Sequence, residues 1–202
     1  MADFKNSLKT LTERVIITDD PLRGRMLAAH HLECCSDEYN RGDIYIFNGS
    51  YAGVPVAVIS SGFGCDELLA CIYDLSKSGV SEVIYISTCI SSTCRYDARS
   101  VILAAGGSRK LMDMAHAAAA RCDIKTYCAT VLSPADTQPE EGCITDEVTS
   151  AFYKLAVEEK FEALSLLTVS ENTSTGTKME INEIRSRLYP ASRLVFEIFS
   201  PC

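Results

Sequence analysis

Long apolar runs are missing from this chain: none approaches the roughly 20 residues that a helix needs to cross a bilayer. No membrane partner is therefore expected. Basic residues are also scarce, with 19 Lys and Arg against 27 Asp and Glu and a formal net charge of -8. That balance speaks against a nucleic-acid partner or an anionic-lipid surface, both of which need clustered Lys and Arg, although a local basic pocket is still allowed. The ten cysteines include no Cys-x-x-Cys pair and the three histidines have no metal-ligand spacing, so no metal is expected. The thiols read as reduced and mostly buried. Met1 to Arg14 lacks the apolar core of a signal peptide, which makes the cytoplasm the expected location. On that reading the sequons at Asn48 and Asn172 carry no weight. There is no internal repeat, and no stretch is long enough to be an interdomain linker, so residues 1–202 are expected to form a single domain.

What is present alternates. Stretches rich in Ile and Val at Val15–Thr18, Ile44–Phe47, Val54–Ser60, Glu82–Thr88, Ser100–Ala104, Lys125–Leu132 and Ala163–Val169 read as strands. Between them, helices are expected at Pro21–Glu33, Cys65–Ser76, Arg109–Arg121, Thr145–Lys160 and in a broken pair around Pro190. Such alternation predicts an α/β fold, a three-layer α/β/α domain around a central mixed sheet. Turn chemistry at Asn48-Gly49-Ser50 and Ala52-Gly53 predicts an antiparallel hairpin between Ile44 and Ile59. Ser133 to Gly142, with two prolines, and Glu171 to Gly176 read as polar loops.

The most informative run is Val15-Ile16-Ile17-Thr18-Asp19-Asp20-Pro21-Leu22-Arg23, where a buried strand empties into an acidic turn. Pro21 suits the first position of a helix. Arg23 would then stand beside free backbone N–H groups at the helix start, a natural anion corner. Asp19 sits awkwardly there, adding negative charge where an anion would dock. A solvated helix edge is the plain alternative for Arg23 and Arg25.

Further segments follow in order: Arg41-Gly42 ahead of Gly49-Ser50-Tyr51-Ala52-Gly53-Val54-Pro55-Val56, then Gly62-Phe63-Gly64 before a helix carrying Asp74-Leu75, then Val83-Ile84-Tyr85-Ile86-Ser87-Thr88-Cys89, and finally Leu164 to Asn172. With Asp19-Asp20-Pro21-Leu22-Arg23 they resemble the nucleoside phosphorylase family, which includes bacterial-type purine nucleoside phosphorylase and uridine phosphorylase. The resemblance covers about residues 15–172 and marks a divergent, shortened member, since the long insert after Ser100–Ala104 is missing.

The resemblance implies a phosphorylase/hydrolase-like fold and specific roles. Arg23, Arg41 and Thr88 would bind phosphate beside Asp19, with Arg41 reaching across a dimer interface. Phe63, Ser170 and Glu147 would contact the nucleoside, and Glu171 would protonate or hydrogen-bond the departing base, favouring a purine. Inorganic phosphate would be a co-substrate, with no cofactor. Such chemistry holds an anionic nucleophile against C1′, fixes the ribose and stabilises the leaving base.

Departures from the family pattern fall on functional positions. Asp19 replaces a glycine of the phosphate loop, Tyr85 replaces a second phosphate arginine, and Ser87 and Ile90 replace the glycines flanking Thr88-Cys89. The family's Glu-Met-Glu ribose clamp falls near Asp146-Glu147-Val148. Val148 stands where its second glutamate belongs, and a one-residue register change would give Glu147 that role. Alternatively Thr145, Asp146 and Glu147 cap the following helix. Arg41 also fits a surface turn, Phe63 ordinary core, and Glu171 a loop carboxylate.

Three activities follow as expectations: phosphorolysis of a purine-type nucleoside, nucleoside binding without turnover as partner to a complete paralogue, or hydrolysis with water in place of phosphate. A homodimer, a higher oligomer or a hetero-oligomer with a paralogue is what the resemblance implies.

Overall fold

The computed structural model describes residues 7–62, 64–134, 143–186, 188 and 190–201. An 11-stranded sheet forms its centre, with the path β2-β3-β4-β1-β5-β10-β6-β7. The strands on this path are β1 (Arg14–Thr18), β2 (Glu33–Arg41), β3 (Ile44–Tyr51), β4 (Val54–Ser61), β5 (Glu82–Ser91), β6 (Val101–Ala104), β7 (Thr126–Ala129) and β10 (Glu162–Asn172). Short strands β8 (Val131–Leu132), β9 (Ile144–Thr145) and β11 (Thr177–Lys178) attach at the rim. The helices are α1 (Pro21–His31), α2 (Cys65–Ser76), α3 (Arg109–Cys122), α4 (Thr149–Glu159), α5 (Ile181–Ser186) and α6 (Ala191–Phe199).

Period-two alternation sends successive side chains to opposite faces of the sheet and so builds two cores. Val15 and Ile17 of β1 join Leu68, Ile72 and Leu75 of α2 and Phe152 of α4 on one face. Ile16 joins Leu27 of α1, Leu111 and Ala115 of α3 and Phe196 of α6 on the other. The three-layer α/β/α arrangement around a mixed sheet is therefore as expected. β4, β1, β5 and β10 run parallel, so their carboxyl ends form one rim. Their register is pinned at the opposite end, where the buried Glu82 accepts from Arg14 Nε at 3.0 Å and also holds Lys110. The recess at a rim built this way is where open α/β sheets collect ligands.

The expected elements needed several corrections. α1 ends at His31, and Glu33 opens a strand instead of closing the helix. That strand, β2, reads as polar because it is a mostly exposed edge, broken by register shifts after Glu33 and Asp37. Asn48-Gly49-Ser50 lies within β3, and the turn is Ala52-Gly53 alone, both at positive φ, the geometry of a tight two-residue hairpin. Thr130 interrupts the Lys125–Leu132 strand. The helix expected at Thr145 begins at Thr149, because Thr145 pairs with Ile90 in the sheet. Glu171 and Asn172 still belong to β10. Residues 135–142 of the proline-containing loop lie outside the described residues. The expected burial of the thiols also fails: among the described residues only Cys71 and Cys89 are buried, while Cys34, Cys35, Cys94 and Cys128 are exposed. No described helix is long and apolar enough to cross a membrane.

Gly24 marks the closest approach of α1 to the sheet, since a Cβ there would lie 2.9 Å from the Cβ of Ser60 on β4. Gly24→Ala must push the helix off the strand. We expect a stability loss of about 1–3 kcal/mol, read from the urea unfolding midpoint.

Candidate functional site

The corner after β1 is built by Asp20. Its carboxylate accepts from the backbone N–H groups of Leu22 at 2.8 Å and Arg23 at 3.2 Å, and Pro21 occupies the first helical position. The N–H of Gly24 bonds the Asp20 carbonyl. The helix start expected to offer free N–H groups is thus already capped, which removes that part of the anticipated anion corner.

Arg23 is 5% exposed and turned toward the strand ends. Its Nη1 donates to Thr18 Oγ1 at 2.9 Å and Asp19 Oδ1 at 3.0 Å, with longer contacts to Ser87 Oγ at 3.4 Å and the Ile86 carbonyl at 3.5 Å. Asp19 Oδ1 also accepts from Ser87 Oγ at 3.0 Å. Asp19 therefore has its cation, and that cation is the arginine expected to hold phosphate. The Nε of Arg23 is buried without a partner among the described residues. The Arg23 side chain also borders a small cavity of about 30 Å³ against His30, His31 and Ser192.

On the rim above this pair opens a cavity of about 280 Å³. β5 contributes Tyr85, Ser87, Thr88, Cys89 and Ile90, α2 and the glycine before it contribute Cys65 and Gly64, and β10 contributes Ser170. The segment into α4 adds Thr145, Asp146, Glu147 and Val148, and Asp19 and Pro134 complete the lining. Ser170 reaches the cavity at a register shift of β10, where its hydroxyl donates to the Cys89 carbonyl at 3.1 Å. Larger recesses of about 410 and 420 Å³ lie near Thr93 and Arg95 and near Arg99 and Asp123. Neither collects the ends of β1, β5 and β10 together, so the 280 Å³ cavity is the candidate site.

Asp146 is the residue the sequence placed least clearly. It caps α4 through Oδ2, which accepts from Val148 N at 3.1 Å, Thr149 N at 2.7 Å and Thr149 Oγ1 at 2.7 Å. Capping was one of the two readings open for this segment, and Asp146 lines the cavity as well. Burial pushes its carboxyl above the usual carboxylate range, against the opposing pull of the Thr149 and Val148 donors. Tyr85 is 1% exposed, and burial, with the nearby charges of Asp19 and Asp146, holds its hydroxyl well above the ordinary tyrosine value. It stands in the cavity as a neutral phenol.

The expected site residues divide. Asp19, Thr88, Glu147 and Ser170 line the cavity, and Arg23 stands directly behind Asp19. Arg41 ends β2 at an exposed turn on the same rim, since it pairs with Ile44 and Ile44 with Ser61, but it is not among the lining residues. Glu171 forms an ion pair with Lys178 at 3.0 Å and is not among them either. Phe63 lies outside the described residues. Tyr85, Ser87, Ile90 and Val148, noted in the sequence as departures at functional positions, line the cavity, whereas sequence reasoning missed Cys65 as a cavity wall. Only its position at a helix start on the rim could have signalled it. Among the described residues no cluster of three or more His, Cys, Asp or Glu side chains is arranged to hold a metal.

No protein-family model matches the chain. A purine nucleoside phosphorylase of the DeoD type from Alkaliphilus metalliredigens is 27% identical over an alignment of 222 positions that covers 93% of this chain and 94% of the relative. One from Caldanaerobacter subterraneus is 26% identical, covering 93% and 95%. The fold matches a crystal structure of purine nucleoside phosphorylase from Toxoplasma gondii with a TM-score of 0.79 at 16% identity, covering 95% of this chain and 90% of that one. Uridine phosphorylase from Vibrio fischeri gives 0.78 at 15% identity, covering 95% and 92%. This chain resembles the nucleoside phosphorylases in both sequence and fold. The ordered motifs from Asp19 to Asn172 were the right guide to that kinship.

Because the folded protein favours the protonated form of Asp146, this residue contributes stability below the carboxylate range that is lost as pH rises through its raised value. Asp146→Asn keeps a capping side chain without the titration. We expect the variant to gain stability relative to the native chain between about pH 4 and pH 7, measured by thermal unfolding across that range.

Proposed function

We propose that this chain is a nucleoside-binding relative of the phosphorylases in which phosphate capture by Arg23 is replaced by an internal ion pair with Asp19. The Asp19–Arg23 contact at 3.0 Å carries the reading. In a phosphorolytic site a free guanidinium meets the incoming anion; here a carboxylate has already taken it. A phosphate about 4 Å from both groups would gain about 4 kcal/mol from the arginine and lose about as much to the carboxylate, at an effective dielectric near 20. The two cancel. Tyr85, neutral where the family pattern has an arginine, adds no compensating charge.

The nucleoside side of the reading is supported by what the cavity retains: Ser170, Thr88 and Glu147 as hydroxyl and carboxylate partners for a sugar, and apolar surface from Ile90 and Val148. Its volume, about 280 Å³, is near the lower end of the range for small-molecule sites. For Glu171 to meet a purine it must first leave Lys178.

Arg41 favours a second reading, phosphorolysis within an oligomer. It is exposed at the rim and available to another copy, which would supply the cation this site lacks. Homodimerisation or pairing with a paralogue belongs to this reading.

The test is release of free base from a panel of purine and pyrimidine nucleosides, with and without inorganic phosphate, in the native chain and in Asp19→Gly. We expect nucleoside binding with little phosphate-dependent release in the native chain, and at least a tenfold gain in Asp19→Gly. Brisk phosphate-dependent release that Asp19→Gly leaves unchanged would sink the proposal, and its loss in Arg41→Ala would establish the oligomeric reading. Release indifferent to phosphate would assign the nucleophile to water.

A further inference from the structure

Far from the rim, β2 carries two neighbouring thiols. Cys34 and Cys35 are both exposed, whereas Cys94 and Cys128, the other exposed cysteines among the described residues, each stand alone in sequence. Consecutive residues of a regular strand face opposite sides of the sheet, which would hold adjacent thiols apart. That rule is broken here. Glu33 pairs with Ser50 and Ser36 with Asn48, so three steps along β2 match two along β3 and both cysteines oppose Gly49. Cys34 absorbs the extra residue with a φ of 50°, in the left-handed region, which re-aims its side chain. Gly49 permits the bulge to lie close, since a Cβ on it would meet the Glu33 carbonyl oxygen at 2.8 Å.

Two exposed thiols on one bulge make a bidentate sulfur donor, and the lack of further ligands decides what it can hold. Among the described residues no group of three or more His, Cys, Asp or Glu side chains is arranged around a metal. A structural zinc, which takes four protein ligands, is therefore excluded there. An organic arsenical of the form R–As(OH)₂ needs two. Its arsenic is soft, three-coordinate and already bonded to carbon, so a pair of sulfurs completes it. Two S–H and two As–OH bonds break, two S–As bonds form and two waters leave. Arsenic stays trivalent, and no oxidant is needed. Burial and the charge of Asp37 push the Cys35 thiol up, which slows disulfide exchange by thiolate attack. Condensation is spared, because the thiol proton departs with hydroxide as water.

We propose that Cys34 and Cys35 form a dithiol site for a monosubstituted trivalent arsenical, chelated across the bulge of β2. Once one sulfur is bound the other acts at high effective concentration, so the pair retains a ligand that a single thiol releases. Arsenite, with a third hydroxide that no further thiol displaces, is held less tightly. The site lies at the end of β2 opposite Arg41, and so does not depend on the nucleoside cavity.

The experiment treats the reduced native chain with phenylarsine oxide in the presence of a competing monothiol and follows the bound group by intact-mass spectrometry. We expect one phenylarsenic group per chain, removed by dimercaptopropanol, and arsenite lost under the same monothiol. Cys35→Ser and Cys34→Gly should each weaken retention by about a hundredfold or more, read from the monothiol concentration that releases half the label. Gly suits the φ of Cys34, so that variant keeps the bulge, and circular dichroism checks the fold of each. Cys94→Ser combined with Cys128→Ser should leave retention unchanged. Failure of the native chain to keep the label overturns the proposal. So does undiminished retention in Cys35→Ser or Cys34→Gly, loss of the label in the folded Cys94 and Cys128 double variant, or arsenite held as firmly as phenylarsine oxide.

Discussion

The parallel pairing of β1, β5 and β10 is the constraint on which the candidate site depends. Arg14, Glu82 and Glu162 lie level at one end of these strands, so their opposite ends emerge together. The buried Glu82 carboxylate, held by Arg14 and Lys110, makes a slip of β1 or β5 expensive, since it would strand a charge in a dry environment. A slip of one residue would also turn Val15 and Ile17 out of one core and Ile16 out of the other. With the register fixed, Thr18, Ser87 and Ser170 have little freedom in where they stand. The chemistry of the rim then depends on which side chains occupy those places.

At the rim, the feature that stands out is electrostatic. The fold matches that of the phosphorylase structures, and Arg23 occupies a pocket that holds it from several sides. Its guanidinium already meets the carboxylate of Asp19. A carboxylate covalently attached four residues earlier has a far higher effective concentration than any dissolved anion, so the internal partner has the advantage over phosphate without needing great intrinsic strength.

The strands with the strongest β-branched runs, such as Val83-Ile84-Tyr85-Ile86, were plain in the sequence because both faces are buried. Strand β2 was not, because Glu33-Cys34-Cys35-Ser36-Asp37 is exposed and takes its conformation from pairing with β3, a tertiary influence that local propensity does not register. The start of α4 was misplaced for a similar reason: Thr145 looks like a helix cap until Ile90 pairs with it. At the site, ordered motifs brought Asp19, Thr88, Glu147 and Ser170 to one cavity. The Glu171–Lys178 pair depends on a hairpin between β10 and β11 that the polar stretch after Glu171 gave no reason to expect.

Strand β2 has a further consequence. It is the outer edge of the sheet, yet Cys34 sits at positive φ and the two register shifts break its ladder of N–H and carbonyl groups into short pieces. An incoming strand from another molecule would find no continuous template to zip onto, which guards this margin against open-ended polymerisation. Any protein that meets this edge must therefore recognise it through side chains, and the charge pattern of Asp37 and Arg41 becomes its address.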